Sequence, residues 1–187
     1  MHNHIHTFSY DEKERRTRQH PEEILQAIGV ASGNTFMDIG SNDGFFTIPA
    51  AKIVGETGKV YAVDTDADAI ERLKGKAAKE GLQNIVAQTN TAEDTIFYEG
   101  CADVIFFGTV LHDFSDPLKV LQNAKAMLKP TGKVINLDWK KKETEMGPPV
   151  DIRFSEEDAN GLMEKAGLRV IKTKSLSQDY YLMTATK

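Results

Sequence analysis

The sequence predicts a doubly wound α/β domain built on a mostly parallel sheet. Three observations carry this prediction. Short apolar runs alternate with stretches of helical periodicity, and that alternation implies parallel strands with helices on both faces. Ala102 to Gly108 is almost wholly apolar, the mark of a central strand buried on both sides. Leu168 to Thr173 and Tyr180 to Ala185 are joined by too few residues for a helical crossover, so they should pair antiparallel.

Residues 1–20 are polar and charged and are expected to be loose. His20-Pro21-Glu22-Glu23 opens a helix, with proline at its first position and acids in its first turn. Ile24, Leu25 and Ile28 form its apolar stripe, and Gly29 ends it. Thr35 to Ile39 is the first strand, and a helix is expected from Gly44 to Val54. Lys59 to Asp64 is the second strand. Asp66 to Glu80 is a helix with Ile70, Leu73 and Ala77 on one face. Asn84 to Asn90 is strand three and Ala102 to Gly108 strand four. Ser115 or Asp116 caps the next helix, with Pro117 at its start. Pro130-Thr-Gly132 is expected to turn the chain into strand five, Lys133 to Trp139. Residues 140–154 break the pattern and read as a mobile loop. Ser155-Glu-Glu-Asp158 is a capping box for the last helix, which runs to Ala166.

A chain of 187 residues suits one domain, here residues 21–187. The net charge of −5 offers no support for binding a nucleic-acid backbone, so no nucleic-acid partner is expected. Cys101 is the single cysteine, which excludes an intrachain disulfide and fits a reducing compartment. The N-terminus has no apolar signal region, and no apolar run approaches the ~18 residues of a membrane span. A cytoplasmic protein without a membrane partner is therefore expected.

Ligands of an open doubly wound sheet bind beyond the carboxyl ends of its strands. Strand one ends in Asp38-Ile-Gly40-Ser41-Asn42-Asp-Gly44, a turn that lets backbone approach a ligand. A dinucleotide fingerprint needs glycine at the first, third and sixth places, and from Gly40 two of those places hold Asn42 and Phe45. This spacing speaks against an NAD-dependent oxidoreductase, the alternative enzyme class. Asp64, followed by Thr65, ends strand two and can accept two ribose hydroxyls, while Asp66 is left for helix capping. Asn90-Thr91-Ala92-Glu-Asp94 follows strand three. Phe107-Gly108-Thr-Val-Leu-His112-Asp-Phe follows strand four.

Asp-x-Gly-x-x-x-Gly at strand one, the Asn90–Asp94 stretch, Val-Leu-His112 and Leu128-Lys-Pro-Thr-Gly132-Lys together resemble class I S-adenosylmethionine-dependent methyltransferases. Within them the chain is similar to the ubiquinone/menaquinone C-methyltransferase-like, type 11 branch, from about residue 21 onward. The resemblance implies a Rossmann-like sheet of seven strands in the order 3-2-1-4-5-7-6, with strand seven antiparallel. It implies S-adenosylmethionine as cofactor, held by Asp38, Gly40, Ser41, Asn42, Gly44, Asp64, Thr65, Asn90, Thr91, Ala92 and Gly108. Asn42 stands where the family usually has glycine, and asparagine tolerates positive φ better than most residues. Thr91 replaces the family's usual acid.

An activated sulfonium methyl mainly needs an aligned nucleophile, and a base only where that nucleophile carries a proton. His112 is the candidate base, because its intrinsic pKa suits the task, with packing or capping at the start of the next segment as the alternative. The acceptor is expected to be a small molecule, and a non-catalytic S-adenosylmethionine-binding protein is the remaining alternative. Arg15 and Arg16 could close over the cofactor, although a solvated charge run is the default. Trp139, Met146, Phe154, Tyr180 and Tyr181 could line an apolar acceptor pocket or form core. No metal site is expected. His2, His4 and His6 have alternate spacing that puts all three on one side of an extended strand and could bind a metal, although a ragged terminus with incidental histidines is the default. Cys101 lies at the end of strand four opposite the site.

Overall fold

The computed structural model describes residues 12–187. His2, His4 and His6 lie outside the described residues. Seven strands form one sheet: β1 Thr35–Ile39, β2 Lys59–Asp64, β3 Ile85–Thr89, β4 Ala102–Gly108, β5 Leu128–Trp139, β6 Arg169–Ser175 and β7 Tyr180–Thr186. Their order is β3-β2-β1-β4-β5-β7-β6. β1 to β5 run parallel, and β7 is antiparallel to both β5 and β6. The terminal hairpin read from its short connection is thus present.

Among the described residues six α-helices flank the sheet: α1 Glu12–Arg18, α2 Pro21–Ala27, α3 Thr47–Val54, α4 Ala67–Lys79, α5 Pro117–Met127 and α6 Glu156–Lys165. The period of two along β4 sorts its side chains between two cores. Val104 and Phe106 pack with Leu25, Phe36 and Val54 under α2 and α3. Ile105 and Phe107 pack with Leu121, Met163 and Tyr181 under α5 and α6. Caps set the helix starts as their sequence signals require. Asp66 accepts from the amides of Asp68 and Ala69, Asp116 from Lys119, and Ser155 and Asp158 cap reciprocally.

Three local differences from the sequence reading have physical causes. Residues 12–18 are helical, where a loose segment is expected; this helix is tied to the body by Lys76, which bridges Glu12 at 3.0 Å and Asp43 at 2.8 Å. α3 starts at Thr47 rather than Gly44, because Asn42 (φ 46°) and Gly44 (φ 93°) hold the preceding turn in left-handed backbone. Pro130–Gly132 lies inside β5 as an irregularity: Ala102 pairs with Leu128 and then Val104 with Lys133. A side chain at Gly132 would meet the Ala102 carbonyl at 2.6 Å, so only glycine passes there. Residues 140–154 hold no helix or strand, and carbonyls of Lys140, Lys142 and Pro148 gather around Arg153, which is 3% exposed.

Candidate active site

The carboxyl ends of β1, β2 and β4 converge on the turn after β1. Gly40 adopts φ 78°, and a Cβ there would meet Val110 Cγ2 at 2.5 Å. The Gly40 and Ser41 amides donate to the Val63 carbonyl at 2.9 and 3.0 Å, which hooks the turn over the end of β2. The Asn42 amide donates to Asp64 Oδ2 at 2.7 Å, and the Asp66 amide to Asp64 Oδ1 at 3.0 Å. Asp64 therefore serves the protein first with one lone pair of each oxygen, which leaves the second pair of each for a ligand. Thr65 lies between these two anchors, exposed on the surface. Asn42 holds the left-handed conformation and its side-chain oxygen accepts from the Asp43 amide at 2.7 Å. Ser41 Oγ is buried without a partner among the described residues.

Asp38 sits below the turn, 2% exposed, and accepts from Thr47 Oγ1 at 2.6 Å. Burial pushes its carboxyl up to about 6, against the Thr47 hydrogen bond and the charge of Arg15, with Asp64 adding to the rise. This geometry makes Asp38 a brace between β1 and α3. Gly108 closes β4, and a Cβ on it would crowd Phe106 at 2.8 Å and Phe46 at 3.1 Å. The next residue, Thr109, holds φ 61°, an outlier for a β-branched side chain. Its amide donates to Leu137 O at 2.6 Å. Arg15 Nη2 reaches Thr109 Oγ1 at 3.4 Å while its guanidinium lies 4.2 Å from the Phe45 ring centroid. α1 thus spans from the Gly40–Gly44 turn to the end of β4. Arg16 turns outward to Glu22 and Glu12.

Asn90, Thr91 and Ala92 follow β3. The Asn90 amide donates to Asp64 O at 3.0 Å, which joins this loop to β2. Thr91 and Asp94 share a hydrogen bond of 2.8 Å. Asn123 on α5 donates to the carbonyls of Ala92 and Glu93 and fixes the loop from behind. Asn123 has no distinguishing signal in the sequence, because a polar residue on a helix reads as solvated.

His112 lies in the short 3-10 turn Leu111–Asp113 after β4. Its Nδ1 is 2.9 Å from Asp138 Oδ1 on β5, and its Nε2 is 3.6 Å from Asp113. The His112 and Asp138 side chains are 2% and 1% exposed. Burial alone pulls the imidazole pKa down, and so does Arg153; the hydrogen bond and charge of Asp138, joined by Asp113, outweigh them and hold it above the ordinary value. Asp138 was legible as an acid inside the apolar run Val134–Trp139, but its partner was not. Of the candidates for an apolar acceptor pocket, Trp139, Tyr180 and Tyr181 are core, while Met146 and Phe154 pack against it partly buried. A cleft of about 510 Å³ opens elsewhere, among Arg18, Glu143, Thr144, Glu145, Gln178 and Asp179. Among the described residues, no three His, Cys, Asp or Glu side chains cluster to hold a metal, and no helix is long and apolar enough to cross a membrane.

The fold and this turn are those of a class I S-adenosylmethionine-dependent methyltransferase domain. The methyltransferase-domain family model matches residues 31–180, and the chain belongs to that family. A crystal structure of an S-adenosylmethionine-dependent methyltransferase from Aquifex aeolicus superposes with TM-score 0.84 at 29% identity, covering 94% of this chain and 98% of that one. The ubiquinone/menaquinone biosynthesis C-methyltransferase of Marinomonas sp. is 29% identical over 132 residues, 70% of this chain and 53% of the relative. A demethylmenaquinone methyltransferase of Lactococcus lactis is 29% identical over 114 residues, 61% of this chain and 45% of the relative. The chain spans about half the length of the curated relatives it matches. The residues present fit S-adenosylmethionine: the second lone pair on each Asp64 oxygen could accept from ribose hydroxyls, and Ser41 Oγ at the turn is buried with no partner among the described residues.

Proposed function

We propose that this chain transfers the methyl group of S-adenosylmethionine to a small-molecule acceptor, with His112 as the base and a cytoplasmic location. The observation that carries the reading is the left-handed Gly40–Gly44 turn tied through the Asn42 amide to the Asp64 carboxylate. Asp64 takes the ribose, with Thr65 beside it. Gly40, Ser41, Asn42 and Gly44 shape the turn for the methionine portion, and Asp38 braces it from below. Asn90, Thr91 and Ala92 flank the adenine, and Gly108 keeps the end of β4 clear. When bound, the cofactor supplies a sulfonium methyl that is already activated.

The chain's own residues orient the reactants, exclude water and take up a proton. Arg15 and α1 cover the mouth from one side, and a helix placed there keeps water from the reacting centre. The small acceptor is supported by relatives named for quinone methylation. Calorimetry with S-adenosylhomocysteine and with NAD tests the cofactor, and a metabolite screen for S-adenosylhomocysteine release tests the transfer. Tighter binding of NAD, or no binding of S-adenosylhomocysteine, overturns the reading.

A further inference from the structure

We propose that Asp138 is a positioning residue that makes His112 the proton acceptor of the site, and that the methyl acceptor therefore belongs to the class that loses a proton from a hydroxyl or an acidic carbon. The inference rests on the methyltransferase reading above and deepens it. It starts from a carboxylate where an apolar side chain would be expected: Asp138 is fully buried on β5, beside core residues Leu137 and Trp139. Its Oδ1 accepts from its neighbour Trp139 at 2.8 Å and meets His112 Nδ1 at 2.9 Å. Its Oδ2 is buried with no partner among the described residues. Burying a carboxylate is unfavourable unless its partners compensate. A strand-to-turn tie alone would be served as well by a neutral pair.

The contact assigns the tautomer. A carboxylate accepts only, so Nδ1 carries the hydrogen and the lone pair of neutral His112 stands on Nε2. Nε2 looks toward Asp113, which is 39% exposed and 3.6 Å away, too far for a hydrogen bond. One ring nitrogen thus faces a partly exposed carboxylate, while the other is anchored in the core. The charged groups facing the ring are Asp138 from β5, Asp113 from its own turn and Arg153 from the segment before α6. The two carboxylates favour the imidazolium that forms when a proton arrives, and Arg153 limits the rise. In the step, an electron pair of the acceptor's oxygen or carbon bonds the methyl carbon, the C–S pair stays on sulfur as a neutral thioether, and the acceptor's proton ends on His112 Nε2. Water then removes that proton. An amine already free of its proton, or a thiolate, would have no use for the pair.

The test is nitrogen-detected NMR of the histidines in full-length wild type, Asp138→Asn and Asp138→Glu, each with S-adenosylhomocysteine. In wild type His112 should be the Nδ1–H tautomer and titrate above the ordinary imidazole value. Asp138→Asn should lower that midpoint, and Asp138→Glu should restore part of it, which keeps the test alive if the asparagine variant folds poorly. In parallel, wild type is screened with hydroxyl, carbon-acid, amine and thiol acceptors. Turnover should fall on the first two classes, with the acidic limb of kcat/KM at the NMR midpoint. Asp138→Asn should move limb and midpoint together and lower kcat at least tenfold, part of the ~10²–10⁴ that a general base contributes. An unmoved midpoint, an Nε2–H tautomer, or turnover confined to amines and thiols overturns the proposal. Failure of wild type to bind S-adenosylhomocysteine would instead overturn the methyltransferase reading itself.

Discussion

Replacing Asp64 should damage the fold and the cofactor site by separable amounts. The carboxylate accepts two backbone amides, from Asn42 at 2.7 Å and Asp66 at 3.0 Å, and it is half-buried. Alanine removes both acceptors, but the freed amides stand near solvent and regain water. The cost to stability is then about 1–3 kcal/mol, two hydrogen bonds at roughly 0.5–1.5 kcal/mol each. For a chain this size each kcal/mol lowers Tm by roughly 2–4 °C, so a fall of roughly 2–12 °C is expected. Cofactor binding loses, in addition, the hydrogen bonds of the ribose hydroxyls to a charged group, about 1.5–3 kcal/mol, or roughly 10–150-fold in Kd. Asp64→Asn should fall between, because its amide keeps one acceptor oxygen and turns a donor toward the second backbone amide. Calorimetry with S-adenosylhomocysteine at 15 °C, where every variant is folded, reads affinity alone, and thermal unfolding without ligand reads stability. Asp64→Ala with lowered Tm and unchanged affinity would refute the ribose assignment and leave Asp64 as a brace for the turn.

Three further predictions follow from the same geometry. Gly40→Ala forces a Cβ to 2.5 Å from Val110 at φ 78°, so left-handed backbone and overpacking together should cost about 2–5 kcal/mol; Gly40→Ala with Val110→Ala should recover only the packing part in chemical denaturation. Asp38, with its pKa raised to about 6, stays protonated in the fold while the unfolded chain ionises near pH 4; the native state holds the extra proton between those values, so stability falls as pH rises through that window, by about 3 kcal/mol. Asp38→Asn keeps an acceptor for Thr47 and should flatten that slope in urea unfolding at pH 4 and 7, whereas a slope equal to wild type would refute the buried neutral carboxyl. Arg153→Leu should unpair the Lys140, Lys142 and Pro148 carbonyls, lower stability by about 2–4 kcal/mol and speed amide exchange across residues 140–152; Arg153→Lys should rescue little, because one ammonium cannot replace a planar fork.

What the sequence determined by itself is whatever a local pattern can state. Strand and helix alternation, the apolar β4, the short β6–β7 connection and the caps at Asp66, Asp116 and Ser155 each depend on residues within a few positions of one another. The glycine turn belongs to the same class, since positive φ at residues 40, 42 and 44 is a demand made on single residues. Tertiary structure alone decided the rest. Arg153 reads as one more charge in a polar stretch, yet all five of its N–H donors close on neighbouring oxygens of the loop and its guanidinium lies 5.2 Å from the Trp139 ring. Arg15 reads as part of a solvated charge run until α1 brings it 94 positions along the chain to Thr109. His112 and Asp138 are 26 residues apart and meet only because β4 and β5 are parallel neighbours whose carboxyl ends coincide. Propensity and periodicity describe a residue against its own segment, whereas a buried charge is tolerable only through partners that other segments supply, and those partners are set by strand order and register.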